Sequence, residues 1–513
     1  MEKRKILKNK FYLYMTEFFS GMSLMAVELG ASRLLAPYFS SSQIVWTIII
    51  GTIMIAMALG NIYGGRSADK NPNPDRLYGR IIIAAIWIGL IPVLGKYVIT
   101  GISVVMIFSV NSNFLIWAAL AACMIVFVFP LFLLGTITPC LVKYTVDDLD
   151  DSGRTVGMLN ASNTIGSIIG TFVPTFVTIP AVGTAVTFLI FSGILLLIGI
   201  LYFVSGKQKS AKVVVGVIAF VIACIFGRND SFAFWDDSLV YEGESIYNYL
   251  QVKEDEDSVY LATNVMFGVQ SIYQKSDSLT GMYYDYAMAA PLMAGVEQKD
   301  HLDILILGMG TGTFATQCTR YFDGLSIEGV EIDKDITKLA SEYFLLSKDI
   351  PVYTYDGRAY LNAIDKKYDV IMVDAYQDIT IPFQMSSVEF FKLVKEHLNE
   401  DGVMVVNLNM CEDGIQGINE YLADTIGSIF DYVQTVEVVY SSNRELFATN
   451  NADFRKVFED NMALIPQEDL KNMMADVSEK LVSYQPGNHI MTDDKAPVEL
   501  LGIQMIMMRC LVV

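Results

Sequence analysis

Seven long apolar runs precede residue 228, and they limit what this chain can fold into more than any other feature. They cover roughly residues 12–36, 44–64, 80–109, 114–140, 156–179, 182–204 and 212–227. The hydrocarbon core of a bilayer asks for about 20 apolar residues per helix, so the runs predict an all-α transmembrane bundle. Glu17 and Glu28 interrupt the first run and no small-residue cleavage site follows it, so a cleavable leader is not expected. The third run is long and carries Lys96, which predicts a kink or a re-entrant piece. The last has only about 16 residues and is short for a full crossing.

Charge divides the chain at the same place. The first 228 residues carry 17 Lys and Arg against 9 Asp and Glu, and the remainder carries 19 against 47. Such a split marks two environments. The net charge of −20 excludes a nucleic-acid binder, because a phosphate backbone rewards Lys/Arg stripes. A hydrophobic content of 53% excludes intrinsic disorder. The six cysteines (Cys123, Cys140, Cys224, Cys318, Cys411 and Cys510) form no CxxC, and the pattern predicts neither a disulfide framework nor a metal site.

Positive residues set orientation. Lys3, Arg4, Lys5, Lys8 and Lys10 place the N-terminus in the cytoplasm, and Arg66 to Arg80, Lys143 with Arg154, and Lys207 to Lys212 continue the alternation. Six crossings leave residue 210 inside, and a seventh would put the rest of the chain outside. Within the fifth run Gly157, Ala161, Gly166 and Gly170 have the small-residue spacing that lets helix backbones approach. Glu17, Glu28 and Arg33 are costly in lipid and are candidates for a substrate or lipid role, with a structural Glu28–Arg33 pair as the alternative.

The acidic part has its own order. SIYNYLQVKE (245–254), VYLATN (259–264) and VQSIYQK (269–275) read as short strands of a small β-subdomain. From Asp303 strands alternate with helices: DILILGMG (303–310), LSIEGVEID (325–333), VYTYDGRAYL (352–361, a strand and turn), YDVIMVDAY (368–376) and DGVMVVNLN (401–409) read as strands, and TFATQCTRYF (313–322), DITKLASEYF (335–344) and VEFFKLVKEHL (388–398) as helices. That alternation predicts βαβ units, a parallel sheet and a ligand at the carboxyl ends of its strands. The expected divisions are a transmembrane domain over 1–228, a β-subdomain over 229–285 and a Rossmann-like domain over 286–513.

Residues just after the strands carry the functional signal. Gly308, Gly310 and Gly312 follow the first strand in GMGTGT, where backbone can approach a ligand. Glu331 ends the second strand about 20 residues later, the place for an acid on ribose hydroxyls. Asp356-Gly357 follows the third strand, and Asp374 ends the fourth, where a reacting centre would lie. This order fits S-adenosylmethionine-type compounds better than NAD, which would want glycine at Thr313. With His301, His397 and His489 the only histidines and none after a strand of the site, histidine catalysis is not expected.

Together these residues resemble the spermidine synthase (polyamine aminopropyltransferase) family, and the whole chain resembles its membrane-fused subgroup. ELGASRLLAPYFSSSQIVW (28–46), GGRSADK (64–70), GRTVGMLNASNTIGSIIGTF (153–172) and IPFQMSSVEFF (381–391) carry the likeness. It implies a Rossmann-like methyltransferase fold preceded by a β-subdomain. It implies that Gly308, Gly310, Thr311 and Gly312 line the methionine-derived part of the donor, that Glu331 holds the ribose, and that Asp356 and Gly357 meet the adenine. Asp374 would orient and deprotonate the attacking amine; Gln270 and Tyr247 would border the pocket; Asp285 and Asp378 would face the amine. Thr311 stands where soluble family members carry an acid that binds the donor amine.

The expected reaction is aminopropyl transfer from decarboxylated S-adenosylmethionine, or a related transfer from S-adenosylmethionine itself, to an amine of the putrescine or spermidine class, with no metal. Its chemistry needs a carboxylate within about 3 Å of an amine whose ordinary pKa is near 10. The alternatives are a methyltransferase acting on a membrane-delivered substrate, and a transporter or lipid-binding protein whose polar domain senses a nucleoside or polyamine. The expected setting is a multi-pass protein of the cell membrane, with lipid as one partner, a homodimer as a candidate assembly, and the polar domain on the cytoplasmic side where nucleoside donors are made.

Overall fold

A computed structural model describes residues 5–39, 43–109, 114–145, 152–206, 211–227, 236–264, 268–375, 381–409, 417–498 and 500–502. The chain divides into two compact units. The first comprises Met1–Asp236, Glu242–Tyr249 and Asn264–Met266; the second comprises Asp237–Tyr241, Leu250–Thr263 and Phe267–Val513.

The first unit is helical. Its helices are α1 (Lys10–Phe39), α2 (Gln43–Lys70), α3 (Pro74–Ser109), α4 (Phe114–Val126), α5 (Val128–Gly135), α6 (Ile137–Thr145), α7 (Ser152–Val173), α8 (Ile179–Ser205) and α9 (Ala211–Phe226). The third apolar run is one helix through Lys96 and Pro92, without a re-entrant break. The fourth run is the broken one: Phe127 and Thr136 interrupt it, and the Thr136 hydroxyl donates to the Leu133 carbonyl at 2.7 Å. The fifth and sixth runs join through a π-turn at Pro174–Thr178, and the path breaks at Gly183, whose φ of 80° and ψ of 170° no helix contains.

Four described segments are long and apolar enough to cross a membrane: Ile44–Lys70, Pro74–Ser103, Val128–Thr145 and Ser152–Ser205. The last is 54 residues, about 80 Å if straight, which is long enough for two crossings on either side of Gly183. Helix α1, with Glu17, Glu28 and Arg33, is not among them.

Close backbone contact holds α1 against α7. A Cβ on Gly166 would lie 1.9 Å from the Phe18 carbonyl oxygen, and one on Gly170 would lie 2.1 Å from that of Met22. Gly157, in the same small-residue series, faces open space. Glu17 is fully buried in this region and accepts hydrogen bonds from Thr138 and Asn163. Charged and polar groups gather where α2 ends and α3 begins: Lys143 pairs with Asp69 at 2.9 Å, Arg80 donates to Ser67 at 2.8 Å, and the Tyr202 phenol bonds Asp75. Glu244 and Ser245 join the helical unit through Thr184, which donates to Glu244 at 2.6 Å, and Arg33, which donates to the Ser245 carbonyl at 3.1 Å.

The second unit is α/β. A four-stranded sheet runs β1 (Leu239–Glu244), β2 (Tyr249–Glu254), β3 (Ser258–Thr263) and β4 (Ser271–Gln274) in sequence order. Two short helices, α10 (Tyr283–Ala287) and α11 (Ala289–Met293), lead to the main sheet, so the boundary expected at 285 falls inside α10. The main sheet contains β5 (Leu302–Leu307), β6 (Leu325–Glu331), β7 (Val352–Thr354), β8 (Tyr368–Val373), β9 (Leu398–Leu408), β10 (Tyr432–Glu437), β11 (Arg444–Thr449) and β12 (Val482–Ser483). Their order is β12-β10-β11-β9-β8-β5-β6-β7. Strands β5 to β9 are parallel, and β10 to β12 add antiparallel.

Alternation along the buried strands sends side chains to two apolar layers. Ile304, Ile306, Val370, Met372, Val403, Val405 and Phe447 face one layer; Leu305, Leu307, Ile371, Val373, Met404, Val406 and Leu446 face the other. Phe390 and Phe391 are wholly buried in the second layer, each worth about 2–3 kcal/mol of apolar burial. They sit on the helix Val388–Glu396, which Ser387 caps by accepting from the Phe390 N–H.

Candidate active site

The strand order reverses between β5 and β8, and α/β sheets open a ligand crevice beyond the strand ends at such a switch point. The Gly308–Gly312 turn and Asp374 both stand there. Gly308, Gly310 and Gly312 all have positive φ (86°, 55° and 85°). At Gly308 the requirement is absolute, since a Cβ would lie 2.6 Å from both the Ala375 Cα and the Asp374 carbonyl oxygen. That tight passage puts Asp374 directly beside the turn, and its N–H donates to the Leu307 carbonyl at 2.9 Å.

Asp374 is held on both sides. Its Oδ2 accepts from the Tyr283 phenol at 2.7 Å, and its Oδ1 faces the Asn407 amide nitrogen at 3.5 Å. Asn443 donates to the Asn407 carbonyl oxygen at 2.8 Å and so turns the Asn407 nitrogen toward Asp374. Burial pushes the Asp374 carboxyl up to about 7, against the pull of these two donors. The Tyr283 and Tyr284 rings touch with a tilt of 32°, centroids 3.9 Å apart, and burial raises both phenols. The Tyr284 hydroxyl donates to the Gln270 carbonyl at 2.6 Å, which fixes Gln270 on the far side of this pair.

Glu331 ends β6 as expected, and its carboxylate turns back to the glycine turn. Oε2 accepts from the Gly310 N–H at 2.8 Å and Oε1 from the Asp333 N–H at 3.0 Å. Burial raises this acid to about 7 as well. The Thr311 N–H reaches the Ser271 hydroxyl at 3.3 Å, while the Thr311 hydroxyl is buried without a partner. Asp356 caps the helix α14 (Gly357–Ala363) by accepting from the Ala359 N–H at 2.8 Å. Gly357 packs on Leu307 and Met385, so this turn lies against the same strand end.

Asp285 does not reach Asp374. Its fully buried carboxylate accepts from the Thr280 N–H and hydroxyl, the Gly281 N–H and the Gln317 amide. It fixes the turn that carries Tyr283, two residues earlier. Tyr247 belongs to the helical unit and is half-exposed. Asp378 lies outside the described residues. Among the described residues no group of three or more His, Cys, Asp or Glu side chains is placed to hold a metal ion.

The sequence pattern gave no role to Tyr283, Asn407, Ser271 or Glu445. The last is a fully buried acid whose carboxyl feels the charge of Asp374. A polar residue in each of two otherwise apolar strands, VMVVNL and RELFAT, was the available signal.

A spermine/spermidine synthase domain model matches residues 283–460, from Tyr283 to beyond β11. A probable polyamine aminopropyl transferase of Bifidobacterium longum is 50% identical over 324 residues, covering 60% of this chain and 72% of that protein. Polyamine aminopropyltransferases of a Hydrogenobaculum species and of Vibrio vulnificus are 28% and 27% identical; the chain spans 59% and 65% of their lengths, using 33% and 37% of its own. The crystal structure of spermidine synthase from Thermotoga maritima is 17% identical, with a TM-score of 0.38 over 47% of this chain and 88% of that one. With half of the 324 aligned residues identical across 72% of the Bifidobacterium protein, the chain belongs to the polyamine aminopropyltransferase family and is a transferase.

Proposed function

We propose that the chain is an integral-membrane aminopropyltransferase that moves an aminopropyl group from decarboxylated S-adenosylmethionine to an amine of the putrescine or spermidine class. The observation that carries this is Asp374: a buried carboxyl, raised to about 7, held by Tyr283 and Asn407 beside a glycine turn. An alkylammonium ionises near 10 in water, so an amine nucleophile needs an acceptor for its proton. A carboxyl poised near 7 can take that proton and still leave the site ionised at physiological pH.

The transfer is a displacement. The amine lone pair attacks the carbon beside the sulfonium, the C–N bond forms as the C–S bond breaks, and the bonding electrons pass to sulfur. Neutral methylthioadenosine leaves, and the proton of the new ammonium goes to Asp374. The chain's own residues orient the partners. Gly308, Gly310 and Gly312 leave room for the methionine-derived portion, and Asp356 and Gly357 flank the adenine. Glu331 uses one lone pair of each oxygen on a backbone N–H and keeps others for ribose hydroxyls. The hydroxyl of Thr311, unpartnered in the turn, favours a donor group that can hydrogen-bond there and keeps S-adenosylmethionine in play as the second donor.

The test is by-product analysis. Full-length protein in detergent is incubated with either donor, with and without putrescine or spermidine, and nucleosides are quantified by mass spectrometry. Amine-dependent methylthioadenosine that disappears in Asp374→Asn is the expected result. S-adenosylhomocysteine would replace the reading with a methyltransferase; donor binding without turnover, surviving in Asp374→Asn, would replace it with a sensor. Membrane insertion and sidedness are read separately, by an impermeant thiol reagent on Tyr440→Cys in intact cells against the unsubstituted chain, because Tyr440 is fully exposed. Labelling places the polar unit outside the cell, and protection until lysis places it in the cytoplasm.

A further inference from the structure

The transfer chemistry draws on the second unit and leaves two acids of α1 without a task. Glu17 has no exposed surface. Its Oε1 accepts from the Thr138 hydroxyl and from the Asn163 amide at 2.8 Å, while Oε2 is buried without a partner. Glu28 is half-buried and has no hydrogen-bond or ion-pair partner among the described residues. Arg33 turns instead to the carbonyls of Ser245 and Ile246, so the structural Glu28–Arg33 pair does not form. An acid inside an apolar helix bundle is costly until a cation meets it, and it marks a site by default.

The spacing of the two acids gives the site its length. They stand three turns apart on one helix, which returns them to the same face within about 20° and separates them by about 16 Å. Helices α1 and α7 run parallel in a fixed step: Gly166 lies on Phe18 and Gly170 on Met22, so Glu28 is level with Phe176, beside Thr175. Between the acids, a Cβ on Gly21 would meet the Ser167 Oγ at 2.9 Å and the Asn163 Oδ1 at 3.0 Å, so a polar edge of α7 touches this face of α1. Thr171 and Thr175 continue that edge. Their hydroxyl protons go to the Ser167 and Thr171 carbonyls, both at 2.9 Å, which leaves the oxygens as acceptors. The sequence has no Lys or Arg between Lys10 and Arg33, nor between Arg154 and Lys207. The seam is acidic at both ends, lined with acceptors between them, and carries no cation of its own.

We infer that α1 and α7 form a binding seam for a linear polyamine, its end ammonium groups at Glu17 and Glu28 and its inner nitrogens donating to the oxygens of α7. An extended chain advances about 1.2 Å per bond, so a span of about 16 Å takes about 13 bonds between the end nitrogens. That is a tetraamine with three-, four- and three-methylene spacers. A four-methylene diamine, about 6 Å long, reaches only one of the acids. The end ammonium at Glu17 supplies the charged hydrogen bond that Oε2 lacks. The seam belongs to the first unit, whereas Asp374 belongs to the second. The inference therefore goes beyond the transfer chemistry and gives the helical unit a ligand of its own.

The experiment is calorimetry on full-length protein in a neutral detergent at about 0.15 M salt, which screens attraction between distant charges. No nucleoside donor is present, so the result does not depend on turnover. The probes are N,N′-bis(3-aminopropyl)-1,4-diaminobutane and 1,4-diaminobutane. Wild type should bind the tetraamine at least about 10-fold more tightly than the diamine, because two linked contacts reinforce each other. Glu17→Gln and Glu28→Gln, which keep the volume and remove the charge, should each weaken the tetraamine at least about 10-fold, and Glu28→Gln should bring it down to the affinity of the diamine. The Glu28→Gln loss should persist in Asp374→Asn, which separates the seam from amine binding at the sheet. Glu459→Gln, an exposed acid of the second unit, should bind as wild type does. If Glu17→Gln does not fold, Glu28→Gln decides alone, since Glu28 has no partner to lose among the described residues. Unchanged tetraamine binding in Glu28→Gln overturns the inference, and so does an equal loss in Glu459→Gln, which would leave only a general attraction of polycations to an acidic protein.

Discussion

The Tyr283 phenol donates a 2.7 Å hydrogen bond to Asp374 Oδ2, and it comes from a different element than any other group that touches this acid. The bond favours the ionised carboxyl against a burial that favours the neutral one. Removing it in Tyr283→Phe should move the Asp374 pKa above about 7. Because the ionised form accepts the amine proton, the rising limb of kcat/KM against pH should shift to higher pH. At neutral pH the loss should be about 10- to 100-fold, the worth of a hydrogen bond to a charged group. Part of it should return at about pH 9. A pH–rate profile of both proteins decides the matter; an unshifted limb would remove Tyr283 from the proton chemistry.

The same burial costs stability. The Asp374 carboxyl ionises near 3.8 in an unfolded chain and at about 7 in the fold. Between those values the folded chain keeps a proton that the unfolded chain has lost, so stability is greatest below the lower value and falls as pH rises through the upper one. Three pKa units correspond to about 4 kcal/mol. Asp374→Asn carries no such term. It should therefore unfold at a higher temperature than wild type at about pH 8, with the gap closing toward about pH 4. Glu331, also raised to about 7, imposes its own decline on both proteins and cancels in the comparison. A variant no more stable than wild type at high pH would show that Asp374 is not strained by burial.

Gly308 and Gly281 separate two kinds of glycine requirement. Both have positive φ, 86° and 74°. A Cβ at Gly281 meets nothing within 4 Å, whereas one at Gly308 strikes the backbone of Asp374 and Ala375. Gly281→Ala should cost only the conformational strain, about 1–2 kcal/mol. Gly308→Ala should push β5 from the end of β8, move Asp374 and abolish turnover by at least about 100-fold, since small misplacements at a reacting centre are costly. Activity and thermal unfolding of the pair check this, and similar losses in both would mean that φ alone matters.

The parallel sheet was legible because hydrophobic strands, helices and post-strand Gly or Asp recur in phase from Asp303 onward. The rotamers were not: Glu331 sits where an acid was expected, yet its oxygens hold the N–H groups of Gly310 and Asp333. The stretch 352–361 reads as strand and turn, but only Val352–Thr354 is strand, because Asp356 caps a helix there. Strands β10 to β12 escaped notice because YVQTVE and RELFAT mix polar with apolar residues on a sheet flank, and with them went Glu445. The break at Phe127 left no polar mark in its apolar run, and the one at Thr136 showed only as Gly135, Thr136 and Thr138. Asp285 kept its place in the sequence pattern while its carboxylate went to local turn donors.

The small-residue series of α7 makes the last prediction, because only part of it touches a neighbour. Gly166 and Gly170 lie on the carbonyls of Phe18 and Met22, and Gly157 lies against nothing within 4 Å. In an apolar medium helices gain little from hydrophobic burial, so backbone approach and buried polar contacts supply the association. Widening the α1–α7 interface would also pull Asn163 from the buried Glu17 carboxylate, which it reaches at 2.8 Å, and leave that acid with fewer donors. Gly166→Ala should therefore destabilise the helical unit by at least about 2 kcal/mol, the scale for forced overpacking joined to an unsatisfied buried group. Gly157→Ala should be neutral or slightly stabilising, since alanine costs a helix less than glycine. Thermal unfolding of the two variants in the same detergent reads the difference, and equal behaviour would show that the series serves lipid or a second copy of the chain instead of α1.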